Sequence, residues 1–176
     1  MDVTLPAAGL GPGVLLLPEP GTDTSTVTEH LLAEGFAVLG GPADPATVGA
    51  FADQRLVGDA LGVIGLGPGG GHALELATAL GDRIAAVVAC YGLPADPEFS
   101  YLGLTAHVLG HFAEADPAVP PAAVDEAAIR LGEATDVRPE LHFYPTTHGF
   151  MTDGQDQLQS TVAWQRTLTF LWAHLG

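Results

Sequence analysis

The chain contains no lysine and only five basic residues, all of them arginine, against 21 aspartates and glutamates. The resulting formal charge of −16 opposes binding to phosphate backbones and to anionic membrane surfaces. We therefore expect neither nucleic acid nor a membrane as a partner. The missing lysine also excludes the phosphate-binding loop of nucleotide hydrolases, in which a lysine contacts the phosphates.

Cysteine occurs once, at Cys90, which excludes a disulfide within the chain. No group of cysteines and histidines has the spacing of a zinc site; His107 and His111 could share a face of one strand, but two histidines without a third ligand favour core or edge roles. We expect no metal and no cofactor. No apolar run approaches about 18 residues and no signal peptide is visible, so the prediction is a cytoplasmic protein.

The 176 residues fit a single domain, residues 1–176, large enough to bury about 70% of the surface of its unfolded chain. Strand and helix patterns alternate along the chain without an internal repeat. The strands are short apolar runs such as Gly13–Leu17 and Ile84–Tyr91, which are typical of strands buried on both faces of a parallel sheet. This alternation predicts a three-layer α/β/α sandwich with a mostly parallel sheet.

The remaining elements follow from periodicity and from start and stop signals. Further strands are expected at 3–5, 36–39, 61–67, 106–113 and 141–144. One helix is expected to start with a capping box formed by Thr26 and Glu29 and to stop at Gly35. Other helices are expected around 47–57, from the glycine-rich turn to near 81, from 120 onward, and over 158–175.

The stretch Leu61–Leu80, LGVIGLGPGGGHALELATAL, passes from an apolar run through several glycines into good helix formers. It predicts a buried strand, a sharp turn and a helix. Two kinds of site begin in this way. One is the nucleophile elbow, in which a reactive side chain stands on a strained turn above the sheet. The other is a dinucleotide loop, whose Gly-x-Gly-x-x-Gly pattern is matched by Gly65, Gly67 and Gly70.

The surrounding sequence favours the elbow. A dinucleotide loop normally follows the first strand, and an acidic residue stands at the end of the second strand. Here two strands precede the loop, and the strand after it ends at Cys90 and Tyr91. An elbow predicts an acid after a later strand and a histidine after the last strand. Asp116 follows the run HFAEAD, and His148 lies in the run YPTTHGF, in the predicted order.

At this point the chain resembles the dienelactone hydrolases, a family with the α/β-hydrolase fold. The resemblance covers nearly the whole sequence and is carried by the segments LLLPEPG, HLLAEGFAVL, GLGPGG, VVACYG, HFAEADPAVPPAAV and LHFYPTTHGF. The last two segments are the most specific. The chain is shorter than typical members, before Leu5 and within 40–59, so the resemblance implies an α/β-hydrolase fold shortened at the N-terminus.

The resemblance implies roles for three residues. His148 corresponds to the histidine of the catalytic triad, Asp116 to the acid that orients it, and Glu19 to a second acid near the nucleophile. Each also has an ordinary structural interpretation: Asp116 before Pro117 suits a turn, and Glu19 between two prolines suits a solvated turn.

The wall of the pocket is predicted from position along the chain. The helix start at Gly69 and Gly70 offers amides and a positive dipole end to a small carboxylate or carbonyl. Tyr91 at a strand end and Phe150 in a loop are predicted to line the same pocket, although an aromatic residue more commonly belongs to the core.

The departures from the family pattern concern the reactive centre. The family's elbow reads Gly-x-Cys-x-Gly-Gly, sometimes with serine for cysteine, and the nucleophile position falls on Gly67, which has no side chain. The positions that supply the two N–H groups of the oxyanion hole are Pro20 and Pro68, and proline has no N–H. Loss of one such donor typically lowers the rate about a hundred- to thousandfold. Acyl hydrolysis by the family mechanism is therefore not expected.

Three functional hypotheses follow, all with a small-molecule ligand or substrate. The first is non-hydrolytic acid–base chemistry, such as an isomerisation, elimination or cyclisation, in the former hydrolase pocket. The second is a catalytically dead binding or regulatory module. The third is a hydrolase of an ester or lactone that uses activated water or another nucleophile. The sequence makes no prediction of an oligomeric state.

Overall fold

A computed structural model describes residues 2–40, 44–46, 48 and 60–176. Within these residues one sheet has the strand order β1-β3-β2-β4-β5-β6-β7, in which β1 pairs antiparallel with β3 and all other pairings are parallel. The mostly parallel sheet predicted from the sequence is confirmed. The strands are β1 (Asp2–Thr4), β2 (Gly13–Leu17), β3 (Ala37–Gly40), β4 (Leu61–Leu66), β5 (Ile84–Cys90), β6 (His107–Ala115) and β7 (Glu140–Thr147).

Helices cover both faces of this sheet, which confirms the three-layer sandwich. One core cluster joins α1 and α4 to one face, and a second joins α2 and α3 to the other. Alternate residues of β2 illustrate this, since Leu16 points into the first cluster and Leu15 into the second. In the described part of the chain the helices are α1 (Ser25–Ala33), α2 (Pro68–Leu80), α3 (Pro121–Ala134) and α4 (Gln157–Leu175).

Two local predictions differ from the structure. The capping box at Thr26 and Glu29 is wrong, because α1 already begins at Ser25, whose N–H is bound at 2.9 Å by the Asp23 carboxylate. Strand β7 is longer than predicted and lies at the edge of the sheet, the position at which a strand tolerates a proline such as Pro145. The helix predicted around 47–57 falls on residues outside the described ranges.

No helix in the described part of the chain combines the length and the apolar character that a bilayer crossing requires.

Candidate active site

The predicted site residues lie at the carboxyl ends of five strands, along one edge of the sheet. Glu19 follows β2, Gly67 follows β4, Tyr91 follows β5, Asp116 follows β6 and His148 follows β7, each within two residues of the strand end. In open α/β sheets, ligands bind outside the carboxyl ends of the strands. The topology therefore gathers the predicted residues into one candidate site.

The bend between β4 and α2 has the shape predicted for an elbow. Gly67 caps α2 at φ +55° and ψ −129°, a left-handed conformation that a residue with a side chain adopts only under strain. Its N–H donates to the Cys90 carbonyl at 3.0 Å, and its own carbonyl accepts the Gly70 N–H at 2.9 Å. These two bonds fix the bend against β5 and the first turn of α2.

The glycines around this bend allow the backbones to touch. A Cβ placed on Gly65 would clash with the Gly69 carbonyl, and one placed on Gly69 would clash with the Leu17 carbonyl. A Cβ on Gly92 would clash with the carbonyl of Gly67 itself. Close packing of this kind accounts for the glycine pattern without a dinucleotide.

Glu19 occupies the space above Gly67. A Cβ on Gly67 would lie 2.8 Å from Cδ and 2.9 Å from Oε2 of Glu19. Glu19 begins a tight turn in which its carbonyl accepts the Thr22 N–H at 3.0 Å and Gly21 has φ +86°. Pro20 and Gly21 are the residue types that a type II turn prefers at its two central positions. The turn thus places a carboxylate where a side chain on residue 67 would stand.

Asp116 and His148 form a hydrogen-bonded pair beside this carboxylate. Nδ1 of His148 lies 2.6 Å from Oδ2 of Asp116, and Nε2 lies 3.6 Å from Oε2 of Glu19. The other oxygen of Asp116 accepts the N–H groups of Ala118 at 2.9 Å and Val119 at 3.4 Å. Because a carboxylate can only accept, Nδ1 carries the proton, and Nε2 of the neutral ring presents a lone pair. The pair can therefore take up a proton at Nε2.

Tyr91 and Phe150 form the aromatic wall next to the imidazole. The ring centre of Tyr91 lies 4.9 Å from that of His148 at an interplanar angle of 65°, and 5.9 Å from that of Phe150. Both are buried. Burial raises the pKa of Tyr91 well above its usual range, so its hydroxyl stays protonated.

The remaining predicted positions lie at the two turns. Pro68 is the first residue of α2, Gly69 and Gly70 are buried in its first turn, and Pro20 lies exposed beside Glu19. Across the described ranges, the ring nitrogens of His148 have only carboxylates as polar partners, and no hydroxyl or thiol bonds to them. No group of three or more potential metal ligands occurs in the same ranges.

A cleft of about 300 Å³ opens beside the Asp116 turn. One wall is the segment after β5, Leu93–Pro97, and the other is formed by the α3 side chains of Ala123, Ala127 and Arg130. Ala118 and Val119, which follow Asp116, also line the cleft. This volume is at the lower end of the range for small-molecule sites. Neither Asp116 nor His148 lines the cleft; it is connected to them only through Ala118 and Val119, whose N–H groups bond to the Asp116 carboxylate.

Sequence reasoning missed the partners of His111, although it favoured a core or edge role for this residue. His111 is fully buried, with Nδ1 2.9 Å from the Tyr144 hydroxyl and Nε2 3.0 Å from the Thr167 hydroxyl. Arg166 donates to the Tyr144 hydroxyl at 2.9 Å, and in either neutral tautomer both ring nitrogens of His111 are bonded to a hydroxyl. Burial, assisted by His142 and Arg166, lowers the pKa of His111 to about 3.

Comparisons with known proteins agree with the fold described above. A model of the dienelactone hydrolase family matches residues 22–175. No curated protein sequence matches the chain. Similar solved structures include a dienelactone hydrolase-like promiscuous phosphotriesterase from metagenomic libraries, at 20% identity and a TM-score of 0.77, with 98% of this chain and 89% of that one covered.

Two esterases are similar in the same way. An esterase from Pyrococcus furiosus has 18% identity and a TM-score of 0.75 over 96% of this chain and 84% of its own. Esterase Est2 of Thermogutta terrifontis has 15% identity and a TM-score of 0.75 over 97% of this chain and 86% of its own. At these identities the structural likeness shows the fold alone.

Proposed function

Because the chain belongs to the dienelactone hydrolase family, we propose that it has kept the family's histidine and acid and uses them for proton transfer on a small molecule, without a covalent acyl intermediate. The reaction class is an isomerisation, elimination or cyclisation. One observation carries the proposal: the Glu19 carboxylate fills the place of a side chain on Gly67 and faces Nε2 of His148 at 3.6 Å.

His148 is the acid–base group in this proposal. Its separation from Glu19 exceeds hydrogen-bond length, so Nε2 is open to a proton on a substrate carbon or oxygen. Once protonated, the imidazolium stands between the carboxylates of Asp116 and Glu19. Asp116 also fixes the ring orientation. The proton then returns to another substrate position or leaves with the departing group.

Acyl hydrolysis has less support at the same site. The family resemblance assigns the nucleophile to position 67, a glycine, and the oxyanion donors to the residues at 20 and 68, both proline. Each missing donor typically lowers the rate about a hundred- to thousandfold. Proton abstraction from a carbon acid needs neither a nucleophile nor these two donors.

The test is the Kemp elimination of 5-nitrobenzisoxazole, in which a base removes the ring C–H proton, the N–O bond breaks and a coloured phenolate forms. We expect turnover above the buffer rate in the wild type and its loss in His148→Ala. The matched control is His30→Ala, an exposed histidine on α1, which should react as the wild type does. Equal rates in the wild type and His148→Ala would overturn the proposal.

Water-mediated hydrolysis of an ester or lactone is the second candidate. The dienelactone hydrolase family and the similar esterases act on such bonds. In addition, Nε2 of His148 is open to a water molecule. Cleavage of p-nitrophenyl acetate is measured in parallel with the same variants. Ester cleavage that depends on His148, without Kemp turnover, would replace proton transfer by hydrolysis. Failure of both probes to depend on His148 would favour a binding module.

A further inference from the structure

Tyr91 holds an unusual backbone conformation. Among the described residues that are not glycine, it alone has a positive φ, of +41°. Its N–H donates to the His111 carbonyl at 2.7 Å, which ties this conformation to β6. A glycine would adopt the same backbone conformation without strain. The contacts of the tyrosine side chain must therefore offset the strain at this position.

The hydroxyl of Tyr91 reaches the peptide next to His148 through one intermediate. The Gly149 carbonyl can only accept, so the Thr152 hydroxyl donates its single proton there, at 3.2 Å. The Tyr91 hydroxyl therefore donates to Oγ1 of Thr152, at 3.3 Å. The same carbonyl also accepts the N–H groups of Thr152 and Asp153, at 2.9 and 3.0 Å.

The ring of Tyr91 acts on the imidazole itself. The two rings meet edge to face with their centres 4.9 Å apart, an arrangement that aromatic quadrupoles favour. Phe150 also packs against Tyr91, with the ring centres 5.9 Å apart. Tyr91 therefore touches His148 directly and also anchors the turn that carries it.

We propose that Tyr91 is a positioning residue for His148: its ring restrains the imidazole, and its hydroxyl, through Thr152, restrains the turn that begins at Gly149. The inference rests on the proposed function only in taking His148 as the acid–base group. Tyr91 does not itself exchange a proton with the substrate. Its effect is to keep Nδ1 directed at Asp116 and Nε2 directed at the space above Gly67.

The test follows the His148 Nδ1–H proton by low-field proton NMR and measures its exchange with solvent. Thr152→Val removes the hydroxyl and keeps the shape, whereas Thr152→Ser keeps the hydroxyl. Loss of one hydrogen bond changes an opening equilibrium about fivefold. Thr152→Val loses two, to Tyr91 and to Gly149, so we expect exchange more than about fivefold faster in Thr152→Val and unchanged in Thr152→Ser. Tyr91→Phe, which loses only the bond to Thr152, should exchange about fivefold faster, and Tyr91→Leu, which also loses the ring contact, should exceed Tyr91→Phe.

Two controls separate positioning from general loosening of the fold. Tyr101→Phe changes a buried tyrosine of the other core cluster and should leave the Nδ1–H exchange unchanged. The amide of Val87, in the middle of β5, should exchange at the wild-type rate in every variant. An Nδ1–H exchange rate that is the same in Thr152→Val and Thr152→Ser, or that changes only together with Val87, would overturn the inference.

The measurement uses no substrate, so its outcome is independent of the assay for the proposed function. If the wild type shows no Kemp turnover but the exchange rates follow the expected pattern, the proposed function is rejected and the positioning role of Tyr91 is retained. Should Tyr91→Leu fail to fold, the Thr152 pair alone decides the question.

Discussion

The carboxylate of Glu19 faces Nε2 of His148 at 3.6 Å, in the space that a side chain on Gly67 would need. Asp116 holds the other ring nitrogen at 2.6 Å, so the imidazole stands between two carboxylates. A side chain on residue 67 and the observed position of Glu19 exclude each other. Each chemistry at this site, nucleophilic or acid–base, therefore requires its own placement of Glu19.

Introducing a nucleophile alone should not produce an esterase. In Gly67→Ser the new Cβ displaces the flexible end of Glu19, but the nitrogens of Pro20 and Pro68 still carry no proton. We expect p-nitrophenyl acetate cleavage no faster than in the wild type. Adding Pro68→Ala restores one donor and should raise the rate about a hundredfold. A single Gly67→Ser variant as active as the double variant would show that position 68 does not supply the donor.

Asp116→Asn should reverse the tautomer of His148. The asparagine oxygen can still accept the N–H groups of Ala118 and Val119, so its amide would face Nδ1 and donate to it. Nε2 then carries the proton and cannot act as a base. We expect Kemp turnover to fall by about two to four orders of magnitude. Thermal unfolding should change little, and a variant that keeps full turnover would contradict the orienting role of Asp116.

His111 should make stability depend on pH. Its pKa is about 3 in the folded protein and near 6.5 when unfolded, so the unfolded chain binds the extra proton between these values. Its contribution to stability is therefore complete above pH 6.5 and is lost as the pH falls toward 3. His111→Gln removes this titration, and His30→Gln, an exposed histidine, is the control.

The measurement for His111 is urea unfolding of all three proteins at about pH 7.5 and about pH 4.5. Carboxylates titrate in the same range in each protein, so only the differences between proteins are compared. On acidification the wild type should lose about 2 kcal/mol more than His111→Gln. Equal losses would show that His111 becomes protonated without unfolding.

Gly92→Ala should be severely destabilising. Its Cβ would clash with the Gly67 carbonyl, and neither backbone can move without disturbing the elbow. We expect a loss of about 3 kcal/mol or more in the free energy of unfolding, as for other overpacked sites. Gly40→Ala is the control, because a Cβ there meets nothing within 4 Å. Comparable stability of the two variants would contradict the close packing described above.

The order of elements and the elbow could be predicted from sequence because their signals are local. An apolar run followed by glycines and helix formers specifies the bend at Gly67 whatever surrounds it. Asp116 and His148 could be named because each directly follows a strand, and parallel strands bring those ends together.

Other features of the site depend on partners distant in the sequence. His111 bonds to residues 33 and 56 positions further along the chain, which no local pattern indicates. The position of the Glu19 carboxylate depends on a turn conformation between two prolines. The positive φ of Tyr91 runs against the preference of its residue type, so only the assembled sheet accounts for it.

The backbone contacts around Gly65, Gly69 and Gly92 also have a practical consequence for engineering. In a mutagenesis library that varies these glycines, we expect most variants to misfold, because an added Cβ clashes with a backbone carbonyl. Randomising residues 18–20 and residue 68 instead would change the groups around the bend without placing a side chain on Gly67, whose φ of +55° strains any other residue. New activities on this fold should be searched for there first.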